Sequence, residues 1–187
     1  NGATLHIVWR EERDGNKEIY YKRSTDGGNS WGTDIRLTNN SAISEWPSIW
    51  VSDQTVHVVW EDSRDGNKEV YYKRSTNGGV NWDADTRLTS NSGDSWAPFI
   101  TQIGSIVHVV WQDTRDGNLE IYYKRSTDEG INWGSDLRFT NNSAESRSTS
   151  LFLINQFAHL IWYDARDGNW EIYYNRSTNE GINWTSD

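Results

Sequence analysis

The sequence predicts an all-β fold made of four copies of one antiparallel, four-stranded unit. Three observations point to it: the spacing of the tryptophans, the choice of apolar residues and the rhythm of the turn signals. Trp9, Trp60, Trp111 and Trp162 stand 51 residues apart, as do Trp31, Trp82, Trp133 and Trp184, and no insertion breaks the register. Twelve tryptophans and nine tyrosines against two prolines describe a core of aromatic and β-branched side chains, which suit a pleated surface. Turn residues recur at strand-length intervals throughout.

The second copy shows each element in order. Ser48–Val51 reads as a first strand, followed by the polar turn Ser52-Asp53-Gln54-Thr55. Val56–Asp62 reads as the second. Its Val56-His57-Val58-Val59-Trp60 core is apolar on both faces apart from the histidine, as in a sheet covered on both sides. Asp65-Gly66-Asn67 then supplies residues that tolerate positive φ in a hairpin. Glu69–Arg74 and Thr86–Thr89 complete the meander as third and fourth strands. Such sheets cover one another when stacked as blades of a β-propeller, with units at about 1–45, 46–96, 97–147 and 148–187. The first copy begins at its second strand and the last stops before its fourth, so a terminal blade is expected to be incomplete. Three arrangements stay open: a four-bladed ring with a defective closing blade, a segment of a larger ring, or closure by another copy of the chain.

Composition removes several functions. There is no cysteine, which excludes disulfides and thiolate metal sites. A net charge of −9, with basic residues recurring singly along the repeat, opposes binding to a phosphate backbone. No apolar stretch approaches the roughly 20 residues of a membrane helix, so membrane insertion is not expected.

One turn carries a recognisable motif. Ser24-Thr25-Asp26-Gly27-Gly28-Asn29-Ser30-Trp31 fits Ser-x-Asp-x-Gly-x-x-Trp, a pattern in which the carboxylate accepts turn amides and the tryptophan plugs the hairpin onto its sheet. Its key residues are Ser24, Asp26, Gly28 and Trp31; the later copies carry Ser75, Asn77, Gly79 and Trp82, then Ser126, Asp128, Gly130 and Trp133, then Ser177, Asn179, Gly181 and Trp184. Asparagine can cap the same turn through its amide oxygen. This resembles the Asp-box, the bacterial neuraminidase repeat, over the whole chain. The resemblance implies a sialidase-like propeller with its ligand site on the face opposite the Asp-boxes.

It also implies what a sialidase active site would need: a tyrosine nucleophile with a glutamate partner, an aspartate acid and base, and three arginines for the substrate carboxylate. Those residue types are present but repeat in every copy. Tyr20/Tyr21, Tyr71/Tyr72, Tyr122/Tyr123 and Tyr173/Tyr174 do so, as do Glu18, Glu69, Glu120 and Glu171, and two arginine series beginning at Arg13 and Arg23. A catalytic group is needed once per ring, so repetition favours structural roles, and no catalytic residue is assigned. The family's Arg-Ile-Pro segment is absent. His6, His57, His108 and His159 occupy one repeat position and read as hydrogen-bonded histidines between blades rather than as metal ligands. Asp62, Asp65, Asp113 and Asp116 surround glycine turns that calcium could use, with ion pairs to Arg64 and its counterparts as the preferred reading. No other cofactor is expected.

Function is sought where the copies differ. Glu45, Trp96 and Arg147 are equivalent, as are Trp46, Ala97 and Ser148. Lys17, Lys68 and Leu119 correspond to Trp170, while Arg10, Glu61 and Gln112 correspond to Tyr163. All fall on the side away from the motif turns. Trp46, Trp96, Arg147, Tyr163 and Trp170 are therefore the candidate contacts for a glycan or a protein. Trp50, on an inner strand, is expected to pack in the core. The expectation is a non-catalytic binding or scaffold module, extracellular or at the cell surface. Two alternatives stay open, a sialidase-type glycoside hydrolase fragment and a purely structural repeat without ligand. Asn39, Asn141, Asn175 and Asn183 stand in glycosylation sequons.

Overall fold

The computed structural model describes residues 4–185, and no helix occurs among them. Fourteen strands make four antiparallel sheets. β1 (Leu5–Glu11), β2 (Glu18–Ser24) and β3 (Ile35–Arg36) form the first. β4 (Ser44–Ser52), β5 (Thr55–Asp62), β6 (Glu69–Ser75) and β7 (Thr86–Arg87) form the second. The third holds β8 (Ser95–Ile103), β9 (Ile106–Asp113), β10 (Glu120–Ser126) and β11 (Leu137–Arg138). β12 (Ser146–Ile154), β13 (Phe157–Asp164) and β14 (Glu171–Ser177) form the fourth. Each sheet is a meander in which sequence neighbours pair, and β4, β8 and β12 pack side by side as the inner strands of a β-propeller.

The core lies between the sheets. Val59, Val70, Tyr72 and Leu88 of the second sheet close on Ile100, Val107, Val109 and Trp111 of the third. The same arrangement joins the first sheet to the second and the third to the fourth. Each fully buried valine or isoleucine contributes roughly 1.5–3 kcal/mol relative to an exposed one. Covering on both faces is what the apolar run of β5 requires, and every residue from Val56 to Asp62 is buried.

Two strand lengths differ from the sequence expectation. The inner strand starts at Ser44 rather than Ser48, because a bulge between Glu45 and Ser48 lets the chain pass Pro47 and rejoin the ladder. The outermost strand is only Thr86–Arg87, pairing with Tyr72 and Tyr71, since Leu88 and Thr89 turn inward and are buried. Trp50 is also not a core residue. It is 37% exposed and its counterpart Phe152 is 64% exposed, whereas the smaller Thr101 at the same position is buried. Phe152 pairs with His159 on the face that carries the exposed Ile161, over which no described sheet lies. The Asn175 sequon is closed to modification, because that side chain is buried and accepts hydrogen bonds from Thr185 and the Arg176 amide.

Candidate functional site

The fixed positions of the repeat are occupied by struts within each blade. Glu69 is fully buried and accepts hydrogen bonds from Arg87 at 2.8 Å, Asn67 at 3.2 Å, the Asn91 amide at 3.2 Å and the Thr89 hydroxyl. Asp62, also buried, accepts from the Trp60 indole at 2.9 Å, Ser44 at 2.8 Å and three nitrogens of Arg64. The Arg64 guanidinium lies 4.3 Å from the Tyr71 ring centre and reaches on to Asp85. Asp65 takes the Tyr71 hydroxyl and Arg87. Asp113 and Asp116 are held in the same way by Arg115, Tyr122 and Arg138. Glu69, Asp62, Asp65, Tyr71, Arg64 and Arg87 are thus tied up within their own blade.

The four histidines stay one per blade. Each Nδ1 lies 2.6–2.7 Å from a tyrosine hydroxyl: His6 with Tyr21, His57 with Tyr72, His108 with Tyr123 and His159 with Tyr174. Burial holds His57 and His108 down at about 4, with Arg74 and Arg125 adding to the effect. Among the described residues no group of three or more His, Asp or Glu is placed to hold a metal ion.

The motif turn is built from its serine outward. Ser24 Oγ accepts the Gly28 amide at 2.9 Å and donates to Asp26, which accepts the Ser30 amide at 2.8 Å and the Ser30 hydroxyl at 2.5 Å. Those bonds hold the Asp26 carboxyl at about 2. Where asparagine replaces aspartate, Asn77 Oδ1 still accepts the Asn81 amide at 2.8 Å.

The repeat-breaking residues converge elsewhere. Trp46, Trp96, Ala97, Gln112, Arg147, Ser148 and Thr149 line one cleft of about 360 Å³ where the inner strands of three blades begin. The bulge positions them. Trp46, Ala97 and Ser148 take the left-handed conformation, with φ of 53°, 47° and 51°, which is costly for a tryptophan and turns its indole out to 58% exposure. Arg147 pairs in register with Tyr163 and lies 5.0 Å from the Trp170 ring centre. All five candidate contacts therefore sit in or beside one opening.

Sequence reasoning missed the charged floor next to it. Glu45 and Glu61 are directly opposed in the β4–β5 pair and both are buried. Glu45 accepts Arg10 and Lys17 at 3.0 Å each; Glu61 forms an ion pair with Lys68 at 2.8 Å and accepts the Ala97 amide at 3.1 Å. Lys68 Nζ in turn lies 5.1 Å from the Trp96 ring centre. Burial raises the Glu61 carboxyl above its ordinary range despite Lys68, whereas at Glu45 burial is outweighed by Lys17 and Arg10 and the carboxyl is lowered. The signal was in the sequence, since both positions break the repeat. What was missing was their cross-strand register.

Four meander sheets around adjacent inner strands define a propeller, and solved structures share that fold. The chain is similar to a Penicillium chrysogenum α-L-arabinanase complexed with arabinobiose, with TM-score 0.72 and 16% identity over 96% of this chain and 61% of that one. It is similar to an α-L-arabinofuranosidase from Fusarium graminearum, with TM-score 0.69 and 16% identity over 95% and 60%. A Trypanosoma rangeli sialidase matches with TM-score 0.64 and 13% identity over 98% and 35%. At these identities the likeness is one of fold, and the chain spans about 60% of the length of the arabinanase and the arabinofuranosidase. No protein-family profile and no curated protein matches the sequence.

Proposed function

We propose that the chain forms the carbohydrate-binding part of a propeller of the glycoside hydrolase kind, with the Trp46–Trp96–Arg147 cleft as its sugar site. The observation that carries this is the gathering of repeat-breaking tryptophans and an arginine into one opening of a fold whose solved neighbours are glycoside hydrolases. Indole faces stack on sugar rings, and Arg147 supplies donors for hydroxyl or carboxylate oxygens. The motif turns are read as Asp-boxes, and an extracellular or cell-surface setting goes with a polymeric glycan ligand.

A hydrolytic role would draw on Glu45 and Glu61. Their environments push the two carboxyls in opposite directions, as general acid and base work requires. The non-catalytic reading is favoured by a different observation, the salt bridges from Arg10, Lys17 and Lys68 that already occupy both groups. Titration of the purified chain with arabino- and sialo-oligosaccharides, read by tryptophan fluorescence, tests the binding site. Binding that falls at least tenfold in Trp46→Ala and Trp96→Ala is expected, and saccharide binding indifferent to both would move the site elsewhere. Release of sugar by the chain, lost in Glu61→Gln, would decide for hydrolysis; binding without release would decide for the binding module.

A further inference from the structure

The three junctions inside this chain are one interface built three times. At each, an aliphatic pair and a tyrosine of one sheet face an aliphatic row and a tryptophan of the next. Tyr21, Tyr72 and Tyr123 point their hydroxyls at Gly79, Gly130 and Gly181 of the following sheet, so closely that a Cβ on the glycine would overlap the hydroxyl. The same rings meet Trp82, Trp133 and Trp184 edge-on, with centroids 4.9, 5.0 and 5.5 Å apart. Beside them Arg23 and Arg74 donate to the Gly78 and Glu129 carbonyls at 2.8 and 3.1 Å.

Among the described residues, each half of this interface occurs once more without its complement. On the fourth sheet Tyr174 is held by His159 in the usual way, yet it is half exposed, with Ile161 and Ile172 open beside it. On the first sheet Leu5 and Ile7 are exposed where Val56 and Val58 are fully buried in the second. Gly28, the counterpart of the tyrosine sockets, meets only Leu5 of its own sheet, and Trp31 is exposed. Among the described residues the tyrosine peg on the fourth sheet and the glycine socket on the first have no partner.

We propose that the β13–β14 face of one copy of this chain docks on the β1–β2 face of a second copy, head to tail. Tyr174 enters the Gly28 socket beside Trp31, Ile161 and Ile172 close on Leu5 and Ile7, and Arg176 meets the Gly27 carbonyl. The occupant follows from geometry, since a surface that thrice receives this repeat inside the chain is shaped for the same repeat from outside it. Such a contact is heterologous: it closes as a ring if the curvature returns and otherwise grows in one direction. Its contacts are Tyr174, Ile161 and Ile172 rather than the residues lining the Trp46–Trp96–Arg147 cleft, so it is tested apart from the glycan reading.

Sedimentation velocity on the intact chain over a hundredfold concentration range tests it. Mass above that of the monomer is expected, lost in Ile172→Glu and equally in Ile7→Glu, both exposed positions that leave the fold intact by circular dichroism. An equimolar mixture of the two variants should form a one-to-one dimer, because each retains the face the other lacks. Tyr174→Ala is a second variant on the same face should Ile172→Glu fail to fold. A wild-type chain that stays monomeric throughout, or association unaffected by these substitutions, overturns the proposal. A mixture that remains monomeric while wild type associates overturns the head-to-tail geometry.

Discussion

The second and fourth sheets carry nearly the same sequence and meet different fates. Val59, Val70 and Tyr72 are buried, whereas their equivalents Ile161, Ile172 and Tyr174 are exposed. Strand pairing is the same in both, down to the register of Val59 with Tyr72 and Ile161 with Tyr174. The difference is the third sheet, which lies over the one face and has no equivalent over the other among the described residues. A repeat unit therefore forms its own hydrogen-bond ladder, while the burial of its apolar face is decided by a neighbour.

The sharpest way to break the comparison is to truncate one residue at both ends of it. Ile121→Ala, inside a covered junction, should cost about 2–5 kcal/mol, whereas Ile172→Ala should stay within about 0.5 kcal/mol. Urea unfolding of the dilute chain measures both, and equal costs would mean that the fourth sheet is covered in solution. If that coverage appears only at high concentration, the second copy proposed above supplies it.

The next effect depends on pH. His57 and His108 face covered junctions and titrate near 4 in the folded chain against 6.5 ordinarily, so the unfolded chain takes up protons first as pH falls. Their contribution is complete above about 6.5 and lost through about 4, on the order of 3 kcal/mol for each histidine. Melting temperature should drop steeply over that window, and His108→Asn should flatten the slope. A profile unchanged by that substitution would place the acid sensitivity in other groups.

The smallest difference compares two sockets. Gly130 and Gly28 both have positive φ, 81° and 93°, so alanine strains either by about 1 kcal/mol. Only at Gly130 does the new methyl also collide with a tyrosine hydroxyl, adding roughly 1–3 kcal/mol. Thermal melts should therefore separate Gly130→Ala from Gly28→Ala, and coincident melts would show that the tyrosine moves aside freely.

Much of the frame was legible beforehand. The 51-residue spacing marked the blades, and sameness identified Glu69, Arg64 and their counterparts as structural groups. The bulge was not legible, because a tryptophan in the left-handed conformation at Trp46 contradicts its local preference and comes with the register shift of the β4–β5 ladder. Trp50 was misjudged for a related reason: its strand is interior, but its size exceeds what the neighbouring sheet covers. Glu45 and Glu61 already stood out singly as departures from the repeat. Their opposition needed the register that only the folded β4–β5 ladder supplies.

By itself the sequence determined the unit: where strands turn, which residues brace the hairpins, and that both faces of the second strand must be covered. Those are local properties, fixed by alternation, turn chemistry and short-range hydrogen bonds. Tertiary structure decided which faces actually find a cover and which scattered departures from the repeat become neighbours. The physical reason is that burial and convergence depend on residues of different blades, whose placement no single repeat encodes.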